Sequence, residues 1–137
     1  MHEVGVRVFD DWTALWNRDL TLAEKIMAPE IRLRYAQPGS DAFDTIRHPK
    51  QLAERIDQFH ETRPNLRYKA EGEAVVNLTM SDGGPTGLVT RPYLARHDYD
   101  GKPHAISGID MLRLENGLIV EVWSVSGGLA GRAFYND

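Results

Sequence analysis

The chain has 137 residues, 42% hydrophobic and 26% charged, the size and composition of one globular domain, and no repeat, linker or low-complexity tract divides residues 1–137. Its 16 Lys and Arg against 20 Asp and Glu leave a formal charge of −4 with no basic run to offset it, so a nucleic-acid backbone is not an expected partner. Without cysteine there can be no disulfide, thiolate metal site or cysteine nucleophile, and without an apolar run of bilayer length or a signal pattern at Met1-His2-Glu3 the expected compartment is the cytosol, away from membranes.

In chain order, Val4, Val8, Trp12, Leu15 and Trp16 recur at three- and four-residue spacing and predict an amphipathic helix. Asn17-Arg18-Asp19 interrupts it. Thr21 with Glu24 three residues on has the pattern of a capping box opening a second, short helix, and Pro29 is expected to end it. Ile31 to Tyr35 alternates with period two, as a half-buried strand does. A loop rich in Gly, Ser, Pro and Asp runs from Gln37 to Asp44. Pro49 then suits the first turn of a third helix, striped by Leu52, Ile56 and Phe59 and stopped at Arg63-Pro64.

The rest reads as sheet: Leu66 to Met80, Leu88 to Tyr99, Pro103 to Glu115 and Leu118 to Val125. The breaks at Asp100-Gly101 and Asn116-Gly117 are strong signals for two-residue hairpin turns, since both central residues must reach positive φ. Three helices followed by an antiparallel meander predict an α+β fold, a curved sheet covered on one face by the helices.

Asp110 stands out in this pattern. It interrupts the apolar run of Ile106, Ile109, Met111, Leu112 and Leu114, and shares strand parity with Leu112 and Leu114, which places it on the core face. A carboxyl there is disfavoured in its ionised form, so its pKa should rise toward values useful for proton transfer. A two-residue turn at Asp100-Gly101 pairs Tyr99 with Lys102, and so brings His97 opposite His104, Tyr93 opposite Gly108 and Arg91 opposite Asp110. All would share one face. His104 keeps parity with Asp110 whatever the turn. Arg91 could either orient a substrate or neutralise Asp110 in an ion pair. Across the second hairpin, a two-residue turn would set Trp123 opposite Asp110 as a pocket wall and Glu121 opposite Leu112. A bulge would instead turn Val120 and Val122 inward.

The run from Gly108 to Trp123, Gly-Ile-Asp-Met-Leu-Arg-Leu-Glu-Asn-Gly-Leu-Ile-Val-Glu-Val-Trp, resembles the final hairpin of SnoaL-like proteins. These form a branch of the nuclear transport factor 2-like superfamily related to polyketide cyclases and ketosteroid isomerases. Arg63-Pro64-Asn65-Leu66-Arg67 and Trp16-Asn17-Arg18-Asp19-Leu20 are similar to two further motifs of that family, in the same order. The resemblance implies a cone-shaped, strongly bent antiparallel sheet on three N-terminal helices with an internal pocket. It also implies Asp110 as general acid/base, with Tyr35 near the cone's opening as a substrate contact. The expected activity is cofactor-independent cyclisation or isomerisation of a hydrophobic, carbonyl-bearing substrate such as a polyketide. Asp110, His104 and His97 would be the catalytic groups, and Arg91, Tyr93, Tyr35 and Trp123 would contact substrate. A non-catalytic ligand-binding or assembly module is the alternative, and hydration, dehydration or hydrolysis by the same carboxylate another. Limonene-type epoxide hydrolases need a second carboxylate where this chain has Val125.

No metal is expected, because His97, Asp98, His104 and Asp110 repeat no known ligand spacing, and no nucleotide-binding glycine motif or Gly-x-Ser-x-Gly elbow is present. Ile109 and Met111, on the opposite face from Asp110, predict a homodimer through the sheet. The segment Gly127 to Asp137 could close the cone or exchange with a partner.

Overall fold

The computed structural model describes residues 1–135. Three helices precede the sheet: α1 (His2–Trp16), α2 (Leu22–Ile26) and, after strand β1 (Met27–Tyr35) and a short turn at Asp41–Phe43, α3 (Pro49–Glu61). Then come β2 (Arg67–Ala70), β3 (Val75–Ser81), β4 (Gly84–Tyr99), β5 (Lys102–Glu115) and β6 (Leu118–Ser126), with a last short turn at Gly128–Ala130. The α+β class and the helices-then-sheet order agree with the sequence pattern. No helix among the described residues is long and apolar enough to cross a membrane.

Several local expectations are revised. Thr21 makes no cap; its hydroxyl donates to Asp19 instead (3.1 Å). The second helix ends at Ile26, and Pro29 lies inside β1. The predicted strand from Leu66 to Met80 is two strands, β2 and β3, which pair with different halves of the long β4 and part at residues 71–74. The sheet is mixed, because β1 runs parallel to β6, and it is open, in the order β1-β6-β5-β4-β2 with β3 also on β4.

Both hairpin turns take the expected form, with Asp100, Gly101, Asn116 and Gly117 all at positive φ. The β4/β5 ladder runs in the register expected from the first turn: Tyr99 with Lys102, His97 with His104, Tyr93 with Gly108 and Arg91 with Asp110. The β5/β6 ladder begins as a two-residue hairpin, Glu115 with Leu118 and Leu114 with Ile119, then slips one residue, so that Arg113 faces Glu121 and Leu112 faces Val122. This bulge changes parity along β6, so Ile119 and Val122 are both buried. Asp110 therefore lies opposite Ser124, and Trp123 opposite Met111 on the outer face.

The helices cover the concave face. Phe9, Trp12, Leu15 and Trp16 of α1 and Leu52 and Ile56 of α3 pack on Ile31, Leu33, Val89, Leu112, Leu114 and Val122. This apolar core fills one end of the cone, toward the Asn116-Gly117 turn. Beyond it, a cavity lies between the helices and the sheet.

Candidate active-site cavity

The cavity has a volume of about 470 Å³, and Asp110 stands in its wall. Its lining alternates down the strands as pleating requires: Tyr93, Ala95 and His97 from β4, Ile106 and Asp110 from β5, Ser124 and Ser126 from β6. Trp12 and Trp16 of α1, Phe59 and Arg63 at the end of α3, Tyr35, Phe43 and Tyr68 enclose it from the other side. Stacked aromatics give it rigid walls, with Tyr35 on Phe43 at 4.6 Å between ring centres and Trp16 edge-on to Tyr68 at 5.4 Å.

Asp110 is 7% exposed. Its Oδ2 accepts a hydrogen bond from Trp12 Nε1 at 2.9 Å, and its Oδ1 has no partner. Burial raises its pKa from 3.8 to about 6, against the pull of the nearby Ser124 hydroxyl and the Trp12 N–H. The Ser124 oxygen accepts from Gln37 Nε2 at 2.9 Å, which ties the loop after β1 to the strand beside Asp110.

Arg91 does not neutralise Asp110, although the two are paired directly across the ladder. The break between β2 and β3 leaves the carbonyls of Glu71 and Gly72 outside the ladder, and Arg91 Nε donates to both at 3.1 Å. Its Nη1 lies 3.9 Å from Asp10 of α1. Arg91 is thus drawn to the sheet's edge and does not line the cavity.

Three phenols face Asp110's end of the cavity. Burial raises the pKa of Tyr35, Tyr68 and Tyr93, and the charge of Asp110 raises each further, so all three stay protonated and able to donate. Tyr93 has room only because residue 108 is glycine: a Cβ there would stand 2.4 Å from the Tyr93 hydroxyl. The sequence placed Tyr93 and Tyr35 among candidate contacts but did not single out Tyr68.

The histidines are arranged differently from expectation. His97 is 4% exposed, lines the cavity, and has a partner on neither ring nitrogen. Burial lowers its pKa, and His104 and Arg63 add to this. His104 lies behind it, outside the lining, with Nε2 3.0 Å from the Leu129 carbonyl, which pins the segment after β6. Both stand six residues along the ladder from the Arg91–Asp110 pair, roughly 20 Å of strand. Neither imidazole therefore exchanges a proton directly with Asp110. Trp123 also lies outside the cavity, because the bulge in β6 turns it to the outer face; Glu121, beside it in sequence, is engaged there by Arg34 (2.8 Å) and Arg113 (3.0 Å).

Gly127 to Ala130 line the cavity's edge, and Arg132 and Phe134 bond to Ser107 of β5. Asn136 and Asp137, part of the segment whose role the sequence left open, lie outside the described residues. Exposed His48 and half-buried His60 meet the carbonyls of Pro29 (3.1 Å) and Trp16 (2.6 Å). Among the described residues no three His, Asp or Glu side chains gather as a metal site would require.

No family model matches the chain, and no curated protein matches it by sequence. Solved structures do. IdmH from Streptomyces antibioticus, named as a candidate polyketide cyclase, superposes with a TM-score of 0.68 at 17% identity, over 93% of this chain and 94% of that one. A candidate SnoaL-like polyketide cyclase from Jannaschia sp. CCS1 gives 0.68 at 15% identity, over 95% and 90%. A protein of unknown function with a cystatin-like fold from Methylobium petroleophilum PM1 gives 0.68 at 14% identity, over 99% and 82%. The chain therefore has the SnoaL-like, nuclear transport factor 2-like fold.

Proposed function

We propose that the protein is an acid/base enzyme acting, without a cofactor, on an apolar carbonyl compound of polyketide type held in the cavity. One observation carries this reading: Asp110 is buried in the cavity wall with no cation beside it and one carboxylate oxygen unpartnered. A carboxyl kept only to steady the sheet would be paired, since an unpaired buried carboxylate costs several kcal/mol.

In the proposed step, Oδ1 of ionised Asp110 takes a proton from the carbon next to a substrate carbonyl. The electron pair of the C–H bond moves to form an enolate, whose oxygen accepts a hydrogen bond from a protonated phenol, Tyr93 or Tyr35. Where a C=C adjoins the deprotonated carbon the enolate extends over it, and return of the proton to the far carbon, with shift of the double bond, completes an isomerisation. Alternatively, the enolate carbon attacks a second carbonyl, and Asp110 returns the proton to the resulting alkoxide, which completes a cyclisation. A pKa of about 6 leaves the group mostly ionised at neutral pH and still able to give the proton back. The candidate cyclases of like fold support the substrate class.

The test is solvent exchange. With β-tetralone as probe in heavy water, the wild type should speed deuterium uptake next to the carbonyl, and Asp110→Asn should abolish the acceleration while still binding the ketone. No acceleration by the wild type, or equal acceleration by the variant, would sink the reading; binding without exchange would leave a ligand-binding module. We further propose a homodimer through the outer sheet face, where Ile109 faces Val125 and Met111 faces Trp123 across the β5/β6 ladder.

A further inference from the structure

We infer that the end of the cavity away from Asp110 recognises a carboxylate on the substrate, with Arg63 as the cation that binds it and His97 as a second hydrogen-bonding group. This rests on the acid/base reading of the same cavity and narrows its substrate to an apolar carbonyl compound bearing an anionic group at its far end.

The observations come from two elements. Arg63, just past the end of α3, sits over the Phe59 ring with Cζ 3.4 Å from the ring centre. Among the described residues its only side-chain hydrogen bond goes to Thr62 Oγ1 (3.1 Å), and it forms no ion pair. A guanidinium has five N–H donors, so most of this fork is unused while the group rests against the ring. Arg55 of α3, 6.0 Å from the Phe43 ring, also lacks a carboxylate partner, and the two cations disfavour each other. Asp98, which lines a small neighbouring pocket with Arg63 and His97 but not the cavity itself, accepts a hydrogen bond from Asn65 Nδ2 at 2.8 Å and does not pair with Arg63.

On β4, both ring nitrogens of His97 are buried and without partners, at a place where Arg63 also contributes to the wall. A buried imidazole with two idle nitrogens is costly unless something supplies the missing bonds. A carboxylate bound by Arg63 would present its second oxygen to an imidazole N–H. A monoanion matches the single cavity-lining cation; a phosphate dianion would call for more positive charge than this rim carries. The two chemistries are thus separated along one cavity, a carboxyl that moves protons at one end and a cation that orients the substrate at the other.

Binding tests this with a matched pair of probes, anthracene carboxylate and anthracene carboxamide, followed by their own fluorescence. Wild type should bind the carboxylate at least about tenfold more tightly, the order expected for a charge-assisted hydrogen bond. Arg63→Gln should erase the preference without weakening the carboxamide, Arg63→Lys should keep part of it, and His97→Leu should reduce it. Equal affinities in wild type, no detectable binding of either probe, or a preference that survives Arg63→Gln would overturn the inference. Asp110→Asn should retain the preference, so loss of ketone exchange in that variant and loss of anion selectivity at Arg63 report on separate claims. Thermal unfolding of each Arg63 variant near the wild-type temperature would tie a changed preference to the rim.

Discussion

Asp110 should make the protein less stable as pH rises, and Asp110→Asn should remove that dependence. In the folded chain burial holds the carboxyl's pKa at about 6, against 3.8 ordinarily. Between about pH 4 and 6 the folded state therefore keeps a proton that the unfolded chain has released. Stability falls as pH climbs through that window, and the whole penalty is in force above it. At 1.36 kcal/mol per pKa unit the penalty amounts to about 3 kcal/mol. The asparagine can still accept from Trp12 Nε1, but its amide N–H group then faces the position of the unpartnered Oδ1, at a cost of about 1–3 kcal/mol that does not vary with pH. The informative quantity is thus the change in the difference between the two proteins. Urea unfolding of both at intervals from pH 4 to pH 8 should show the variant gaining about 3 kcal/mol on the wild type across the range. A difference that stays constant within about 0.5 kcal/mol would mean that Asp110 is solvated or paired in solution, and the argument for a proton-transfer role would go with it.

Trp12→Phe deletes the one strong hydrogen bond to Asp110 and keeps most of the ring. Carboxyl NMR should find the Asp110 pKa higher than in wild type, with a loss of about 1–3 kcal/mol in urea unfolding at neutral pH; an unchanged pKa would show that the indole N–H does not bind the carboxylate. Gly108→Ala puts a Cβ 2.4 Å from the Tyr93 hydroxyl and 2.7 Å from the Val125 carbonyl, so it should cost about 1–3 kcal/mol and shift Tyr93 in its NMR spectrum. An alanine variant as stable as wild type would contradict the close approach. Val125→Lys places a charge on the exposed apolar pairs of β5 and β6, and sedimentation velocity should find it monomeric where wild type is dimeric; a monomeric wild type at high concentration would refute the dimer.

How much was legible beforehand depends on parity. The Asp100-Gly101 turn sets which β4 residues share a face with Asp110 as long as no bulge intervenes, and none does, so the ladder keeps the turn's register over its whole length. The second hairpin carries an equally clear turn signal, yet its ladder slips after two pairs. A bulge inserts one residue without any required residue type, so nothing in Leu118 to Trp123 announces it. That one residue exchanges Trp123 for Ser124 beside Asp110. Arg91 escaped in another way. Its position opposite Asp110 was readable, but its direction depends on carbonyls freed by a break between β2 and β3, in a stretch whose alternation looks continuous. Trp12 was readable as core and is core; that its N–H meets a carboxylate 98 residues later is a fact of packing that helical spacing cannot express. Arg63 was visible as a helix stop and as part of a family-like motif but not as a site residue, since what distinguishes it is the lack of a partner.

The placement of Arg91 bears most directly on what Asp110 is for. A cation directly opposite, on the same face, is the simplest device for stabilising a buried carboxylate, and close opposite charge would lower its pKa. Here that cation is turned toward backbone carbonyls and Asp10, while Asp110 meets only neutral groups, the Trp12 indole N–H bonded to one oxygen and the Ser124 hydroxyl nearby. A neutral donor orients the carboxyl without fixing its charge, so the group is held in place and left free to take up or release a proton. The other oxygen is left without a partner in the cavity wall. Stability alone would favour the opposite arrangement, with Arg91 on Asp110 and the carbonyls left to solvent. The arrangement found gives up stability at neutral pH for a carboxyl that titrates near it, and that exchange makes sense when a substrate, rather than the protein, supplies the missing partner.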